Sequence, residues 1–202
     1  MSLDTALARI ASLQTMLQPQ PVQQVAPQTA TQFSTALQGA STPWGMTPTA
    51  SATATSGTPA GQAILNAIRP EVGVAEQPPG SNDSPRIAQY RQATAGSGVG
   101  PWCAYFVSWA ARQAGVPLGD SGQGFGRVDD VFAWAQQNGK ALPAGSTPSP
   151  GDLIVWDEHI GVVESVDPDG SIHTIEGNSS DQVSQRTYGS DGGGAVGYVR
   201  LG

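Results

Sequence analysis

The chain has 202 residues, of which 38% are apolar and 12% are charged, and it contains 26 glycines and 16 prolines. This composition indicates one globular domain joined to a low-complexity segment. The net charge of −7 argues against nucleic acid and against an anionic membrane surface as partners, because both are bound by clustered lysine and arginine. The single cysteine excludes an internal disulfide and a cysteine-based zinc site. No apolar run approaches the roughly 20 residues that span a bilayer.

The first segment carries apolar residues at intervals of three and four, which predicts a short amphipathic helix over residues 1–17. The apolar stripe consists of Leu3, Leu7, Ile10, Leu13 and Leu17. An isolated helix of this length is only marginally stable, so we expect the stripe to pack against another surface. Loose packing on the chain's own domain, self-association and docking on a protein partner through residues 3–17 all stay open. The segment lacks the basic region and apolar core of a Sec-type signal peptide, which leaves the export route open.

Residues 18–60 consist almost entirely of Ala, Thr, Ser, Pro, Gln and Gly. Such a segment cannot bury enough apolar surface to offset the loss of chain entropy, so it is predicted to be a disordered linker. Phe33, Leu37 and Trp44 are among the few exceptions and form a candidate docking patch. The globular domain is then expected over residues 61–202.

The first half of this domain has helical periodicity. Helices are predicted over residues 62–68, 85–92 and 128–138, with Asp83 or Ser84 as the N-cap of the second. A further helix is predicted around the single cysteine, Cys103, and Gly115 is expected to end it. Pro101 fits the first turn of that helix, where a missing N–H group is harmless.

Cys103 would therefore lie at a helix N-terminus, where unpaired backbone N–H groups and the helix dipole stabilise a thiolate. This placement suits a nucleophilic sulfur. The competing interpretation is that a lone cysteine is a small buried apolar residue, which is the more common case in an arbitrary protein.

The second half of the domain changes to strand periodicity. Strands are predicted over residues 152–156, 159–166, 171–176 and 195–201, with a hairpin turn at residues 167–170 between the second and the third. Helices followed by an antiparallel sheet indicate the α+β class.

The hairpin predicts a base and an orienting group for the cysteine. If the two strands pair antiparallel, His159 at the start of one lies beside Glu176 at the end of the other. A nucleophilic thiol needs a base, and its imidazole needs an acceptor that fixes the tautomer. The other histidine, His173, lies three residues before Glu176 and so faces the opposite side of the strand, which makes it the weaker candidate. Taken singly, a strand histidine is more often structural and a strand-end glutamate more often solvated.

Four motifs in this order resemble those of the CHAP family, the cysteine, histidine-dependent amidohydrolases/peptidases of bacteria and their phages. They are Pro101-Trp102-Cys103-Ala104-Tyr105-Phe106-Val107-Ser108-Trp109, Pro150-Gly151-Asp152-Leu153, His159-Ile160-Gly161-Val162-Val163 and Ile175-Glu176-Gly177-Asn178. The resemblance covers roughly residues 64–202. It implies a papain-like α+β fold, with helices packed on a small antiparallel sheet, and hydrolysis of peptidoglycan amide bonds in the cell envelope or outside the cell.

The resemblance also implies roles for individual residues. Cys103 would be the nucleophile, His159 the base and Glu176 the orienting acceptor, with Asn178 in a supporting polar role. Some members bind calcium through an acidic loop before the cysteine, but residues 95–100 carry no carboxylate here, so no metal and no cofactor is expected.

The mechanism expected from these groups is acyl transfer from an amide to the Cys103 thiolate. The backbone N–H of Cys103 would hold the oxyanion, with Asn82 and Tyr90 as unranked candidates for the second donor. Trp102 and Trp156 could line a substrate groove, although a place in the core is favoured for both. An amidase and an endopeptidase both fit the sequence, as does amide transfer at the same site.

A different class of function also fits. In that interpretation the protein binds the wall without cutting it and acts as a structural or adaptor protein. The N-terminal segment faintly resembles the leading segments of flagellum-associated wall hydrolases, which are exported without a cleaved signal.

Overall fold

The computed structural model describes residues 57–202, which hold four α-helices and a six-stranded antiparallel sheet. The helix predicted over residues 1–17 and most of the linker predicted over residues 18–60 lie outside the described residues. The helices are α1 (Pro59–Ile68), α2 (Pro85–Arg91), α3 (Cys103–Gln113) and α4 (Val128–Gln137). A 3-10 turn, Arg69–Glu71, follows α1.

Helix α1 begins before the predicted domain boundary at residue 61. The hydroxyl of Thr58 caps the helix by accepting from the Gly61 N–H, and it donates to the carbonyl of Leu201 at 2.8 Å. The second of these bonds joins the start of the helix to the end of the domain. The Ser84 hydroxyl caps α2 by accepting from the Ile87 N–H, as one of the two predicted caps would.

Helix α3 places its first residue, Cys103, at the predicted N-terminus. The first helical hydrogen bond runs from the Phe106 N–H to the Trp102 carbonyl, and Trp102 is the N-cap with φ −116° and ψ 13°. Pro101 therefore precedes the helix, and its predicted place in the first turn is wrong. The helix ends at Gln113, where Gly115 takes a left-handed φ of 75°.

The sheet has the strand order β1-β6-β2-β3-β4-β5. Its strands are β1 (Ala141–Pro143), β2 (Leu153–Val155), β3 (Ile160–Val166), β4 (Ile172–Glu176), β5 (Ser184–Tyr188) and β6 (Gly197–Val199). Four of them match the predicted strands, and the predicted hairpin at residues 167–170 joins β3 to β4 antiparallel. The two edge strands, β1 and β5, were not predicted, because three residues and a polar segment carry little strand signal.

Helix α3 lies in the middle of the domain, packed on α1, α2 and the β3 strand. Its central residues belong to one buried apolar cluster that also includes Ile64, Val131, Val162 and Ile175. A smaller cluster, with Ile154 and Tyr198, covers the other face of the sheet. The predicted α+β class is confirmed. In the described part of the chain, none of the helices combines the length and apolar character needed to cross a membrane.

Candidate active site

The β3–β4 hairpin brings His159 and Glu176 together. His159 directly precedes β3 and Glu176 ends β4, so antiparallel pairing places the two residues side by side. The Nε2 atom of His159 lies 2.9 Å from Oε2 of Glu176. A Cβ atom at Gly161 would lie 2.6 Å from Cγ of Glu176, so glycine is required for the carboxylate to lie across β3.

The second carboxylate oxygen of Glu176 is also fully engaged. The Thr174 hydroxyl donates to Oε1 at 2.5 Å and the Tyr188 hydroxyl donates at 2.9 Å. The side chain is 1% exposed, and burial by itself would raise its pKa. The hydrogen bonds from His159, Thr174 and Tyr188 and the positive charge of the imidazolium outweigh burial, so the pKa of Glu176 is lowered. Glu176 is therefore a fixed carboxylate that accepts from His159.

Cys103 is the second group that acts on His159, because it raises the pKa of the ring. Since Nε2 faces Glu176, the ring nitrogen left for the sulfur is Nδ1. Burial lowers the pKa of His159, but hydrogen bonds to Cys103 and Glu176 and the charges of both partners prevail and raise it to about 9. The geometry thus favours an imidazolium ring beside the Glu176 carboxylate.

Cys103 is 4% exposed and lies at one wall of an open cleft of about 410 Å³. Three carboxylates and one guanidinium line the same cleft: Asp129, Asp157, Glu158 and Arg127. The walls therefore carry a negative balance of charge. A second groove of about 300 Å³, beside Trp156 and Phe132, shares Asp129 and Asp157 with the cleft. A chain molecule could lie along both.

The two candidate substrate tryptophans differ in position. Trp156 is half-buried and lines the second groove, and its ring lies against His159 with centroids 5.6 Å apart. Its indole N–H donates to the Gly192 carbonyl at 2.9 Å. Trp102 is fully buried and its indole N–H donates to Glu76 at 2.9 Å, so it lies in the core and does not line the cleft.

Asn178 lies two residues beyond Glu176, half-buried, with a left-handed φ of 58°. Among residues 57–202, its side chain makes no hydrogen bond to Cys103, His159 or Glu176. The structure therefore unites three of the four predicted catalytic residues and leaves Asn178 beside them.

The two candidates for the second oxyanion donor also separate. Tyr90 is fully buried, and its hydroxyl donates to Glu71 at 2.5 Å, which leaves it no proton for an oxyanion. Asn82 lies in a loop tied to Trp102 through Glu76, with its backbone at a left-handed φ of 53°. Asn82 stays a predicted candidate for the second donor.

Three groups at the site escaped the sequence analysis. Thr174 lies two residues before Glu176 on the same face of β4, and strand periodicity alone could have found it. Tyr188 lies on β5, whose register pairs Glu176 with Ser184. No sequence pattern around Tyr188 predicts this pairing. Glu76 reaches the cysteine helix from a loop, with no motif to mark it.

Residues 94–178 match the family model described as the CHAP domain. This segment of the chain is similar to the CHAP domain. The matched segment includes Cys103, His159, Glu176 and Asn178, which are the residues that the sequence motifs single out. The predicted α+β fold class, with helices packed on a small antiparallel sheet, is confirmed.

Two solved structures are similar to this chain. One is an N-acetylmuramoyl-L-alanine amidase from Staphylococcus aureus, with 21% identity and a TM-score of 0.43 over 55% of this chain and 34% of that one. The chain thus spans about a third of the length of that protein. The other is the peptidoglycan hydrolase RipB from Mycobacterium tuberculosis, with 19% identity and a TM-score of 0.44 over 84% of this chain and 77% of that one. No protein of curated function matches the sequence.

Proposed function

We propose that this protein is a peptidoglycan hydrolase that cleaves an amide bond with Cys103 as nucleophile. The observation that carries the proposal is the imidazole of His159, held between Cys103 and the buried carboxylate of Glu176 beside an open cleft. The similarity to the CHAP domain supports the same conclusion, and it favours the cell envelope or the extracellular space as the place of action.

In the resting site the thiol proton lies on His159. An imidazole with a pKa of about 9 is protonated at neutral pH, and its partners are the sulfur and the Glu176 carboxylate. Cys103 is the first residue of α3, where the helix dipole favours a thiolate. The nucleophile and the acid for the next step are thus formed by one proton transfer.

In the acylation step the sulfur attacks the amide carbonyl carbon, and the carbonyl π electrons move to oxygen. The N–H of Cys103 belongs to the first turn of α3, where backbone N–H groups have no acceptor within the helix, so it can hold the oxyanion. Asn82 is the candidate second donor. The intermediate collapses as His159 delivers its proton to the departing amine, which breaks the C–N bond and leaves a thioester.

In the deacylation step water attacks the thioester while His159 accepts a proton from it. Collapse of the second tetrahedral intermediate releases a carboxylic acid and returns the thiolate of Cys103. Glu176 holds the ring in one orientation through both steps, because its own two oxygens are held by three hydrogen bonds.

The cleft indicates which part of peptidoglycan approaches the sulfur. Its carboxylates attract a free amine, such as that of a diamino acid in a stem peptide, and repel the carboxylates of the same polymer. An endopeptidase and a muramoyl–alanine amidase both place such a peptide in the cleft. The amphipathic stripe of residues 3–17 stays a predicted docking segment for a protein partner.

Digestion of defined peptidoglycan, followed by mass spectrometry of the released fragments, tests the proposal. The wild-type protein should release fragments with one new amine and one new carboxylate, and the position of the new ends identifies the bond. Cys103→Ala should lower this release by at least about 1,000-fold while leaving the far-UV circular dichroism unchanged. Release that persists in the folded variant would contradict the role of Cys103.

A further inference from the structure

Glu76 is a buried carboxylate outside the residues that the proposed mechanism uses. It is 3% exposed, and it accepts one hydrogen bond on each oxygen. The Trp102 indole N–H donates to Oε1 at 2.9 Å, and the Asn82 backbone N–H donates to Oε2 at 2.7 Å. Among residues 57–202, no lysine, arginine or histidine forms an ion pair with it. A buried carboxylate with neutral donors alone is costly in free energy.

Its first partner, Trp102, is the N-cap of the helix that begins with Cys103. The indole packs against the rings of Tyr90 and Phe106, with centroid distances of 5.9 and 6.3 Å. Its other edge meets the backbone after Glu176, where a Cβ atom at Gly177 would lie 2.9 Å from Cζ3 of Trp102. The indole ring of Trp102 therefore separates the start of the Cys103 helix from the end of the Glu176 strand.

Its second partner, Asn82, has a left-handed backbone. Within the described chain the non-glycine residues with positive φ are Asn82, Asn178, Ser180 and Asp181. All four lie in two neighbouring loops, and the Glu76 N–H joins these loops by donating to the Asp181 carbonyl at 2.9 Å. Left-handed conformations of this kind are strained and persist where surrounding contacts hold them, often at functional sites.

We propose that Glu76 is a positioning residue for Cys103. It fixes the indole of Trp102 and thereby sets the distance and angle of the Cys103 sulfur relative to His159. Through Asn82 it holds the adjoining loop against the same helix N-terminus. This inference rests on the proposed function, because it assigns Glu76 a part in the reactivity of the proposed nucleophile.

The test compares Glu76→Gln with Glu71→Gln. The first substitution keeps size but presents an amide N–H₂ to one of two N–H donors, so one of them loses its acceptor. The second weakens a matched buried carboxylate, which holds Arg86 and Tyr90 on α2 and touches neither Cys103 nor Trp102. Both should lower the thermal midpoint, so stability alone does not separate them.

Alkylation of Cys103 by iodoacetamide, followed by intact-mass spectrometry, separates the two roles. For Glu76→Gln we expect the rate at neutral pH to fall by about 10- to 100-fold and kcat on peptidoglycan to fall with it, while KM changes by less than about threefold. For Glu71→Gln, measured well below its thermal midpoint, the alkylation rate should stay within about twofold of wild type. Trp102→Phe, which keeps a ring but loses the N–H donor, should lower the rate as Glu76→Gln does, and the double variant should add little.

An unchanged alkylation rate in folded Glu76→Gln would overturn the proposal, as would an equal loss in both carboxylate variants. The readout does not depend on the substrate. If the wild-type thiol itself is unreactive at neutral pH, the proposed function fails instead, and the two failures are distinct.

Discussion

The domain contains two histidine–carboxylate pairs. Their hydrogen bonds are nearly equal in length, but the two pairs differ in their exposure to solvent. His159 lies 2.9 Å from Glu176, and His173 lies 2.8 Å from Asp167. The second pair even has a hydroxyl on the other ring nitrogen, since Thr187 Oγ1 lies 3.1 Å from Nδ1 of His173. Yet the Asp167 side chain is 50% exposed, whereas that of Glu176 is 1% exposed.

A hydrogen-bonded triad is therefore not sufficient to make an active site. An exposed ion pair is weakened by water and salt, so the Asp167 carboxylate can hold its imidazole only loosely. The buried pair acts in a medium of lower polarity, beside a helix N-terminus and next to a cleft.

The largest effect is expected when each of the two histidines is replaced in turn by alanine. His159→Ala should lower kcat/KM on purified cell walls by about 100- to 10,000-fold, because it removes the proposed base and partner of Cys103. His173→Ala should stay within about twofold of wild type. Release of soluble fragments measures both, and a comparable loss in the two variants would show that the wrong histidine has been assigned.

The pH dependence of stability should also separate the pairs. The pKa of His159 is raised from 6.5 to about 9 in the folded protein, so protonation of this ring stabilises the fold. The contribution is fully present below about pH 6.5 and is lost as the pH rises through about 9. Urea unfolding across this window should show a falling free energy of unfolding.

His159→Gln provides the control for this measurement. It should flatten the pH dependence of the free energy of unfolding across the same window, because the titrating ring is gone. His173→Gln should retain the wild-type slope. A slope that survives His159→Gln would assign the dependence to another group.

A smaller effect is expected from removing a hydroxyl group that bonds to one or the other histidine–carboxylate pair. Tyr188→Phe removes one of two hydroxyl donors to Oε1 of Glu176 but keeps the ring that packs on Trp156, so kcat should fall by about 3- to 10-fold. The pKa of Glu176 should rise, which moves the acid limb of the kcat/KM profile to higher pH. Thr187→Ala, one residue earlier on β5, removes the hydroxyl at His173 and should change neither value. Equal effects of the two variants would contradict the distinction between the pairs.

The smallest effect is expected at the cleft wall. Asp157→Asn should raise KM by about two- to threefold at low salt, because it removes a charge that attracts substrate amines, and the difference should vanish near ~0.5 M salt. Asp169→Asn, in the exposed hairpin near His173, serves as the control and should leave KM unchanged. A lower KM for Asp157→Asn would show that the wall faces a substrate carboxylate.

Much of the site was predictable because its parts are locally encoded. A two-strand hairpin with a short turn sets its own register, so the neighbourhood of His159 and Glu176 follows from residues 159–176 alone. The position of Cys103 at the start of α3 likewise follows from local periodicity and the glycine that ends the helix. The position of Pro101 did not follow, because the helix starts where Trp102 is anchored by a side chain from another loop.

The sequence by itself determined the α+β class, the helix that begins with the single cysteine and the pairing of the histidine with the glutamate. Each depends on hydrogen bonds between residues that are near one another in the chain. Only the tertiary structure decided that Cys103 meets His159, that Tyr188 saturates Glu176, and that Trp102 is buried under Glu76 while Trp156 borders the groove. These contacts join distant segments, and they depend on how apolar surfaces pack, which no local pattern records.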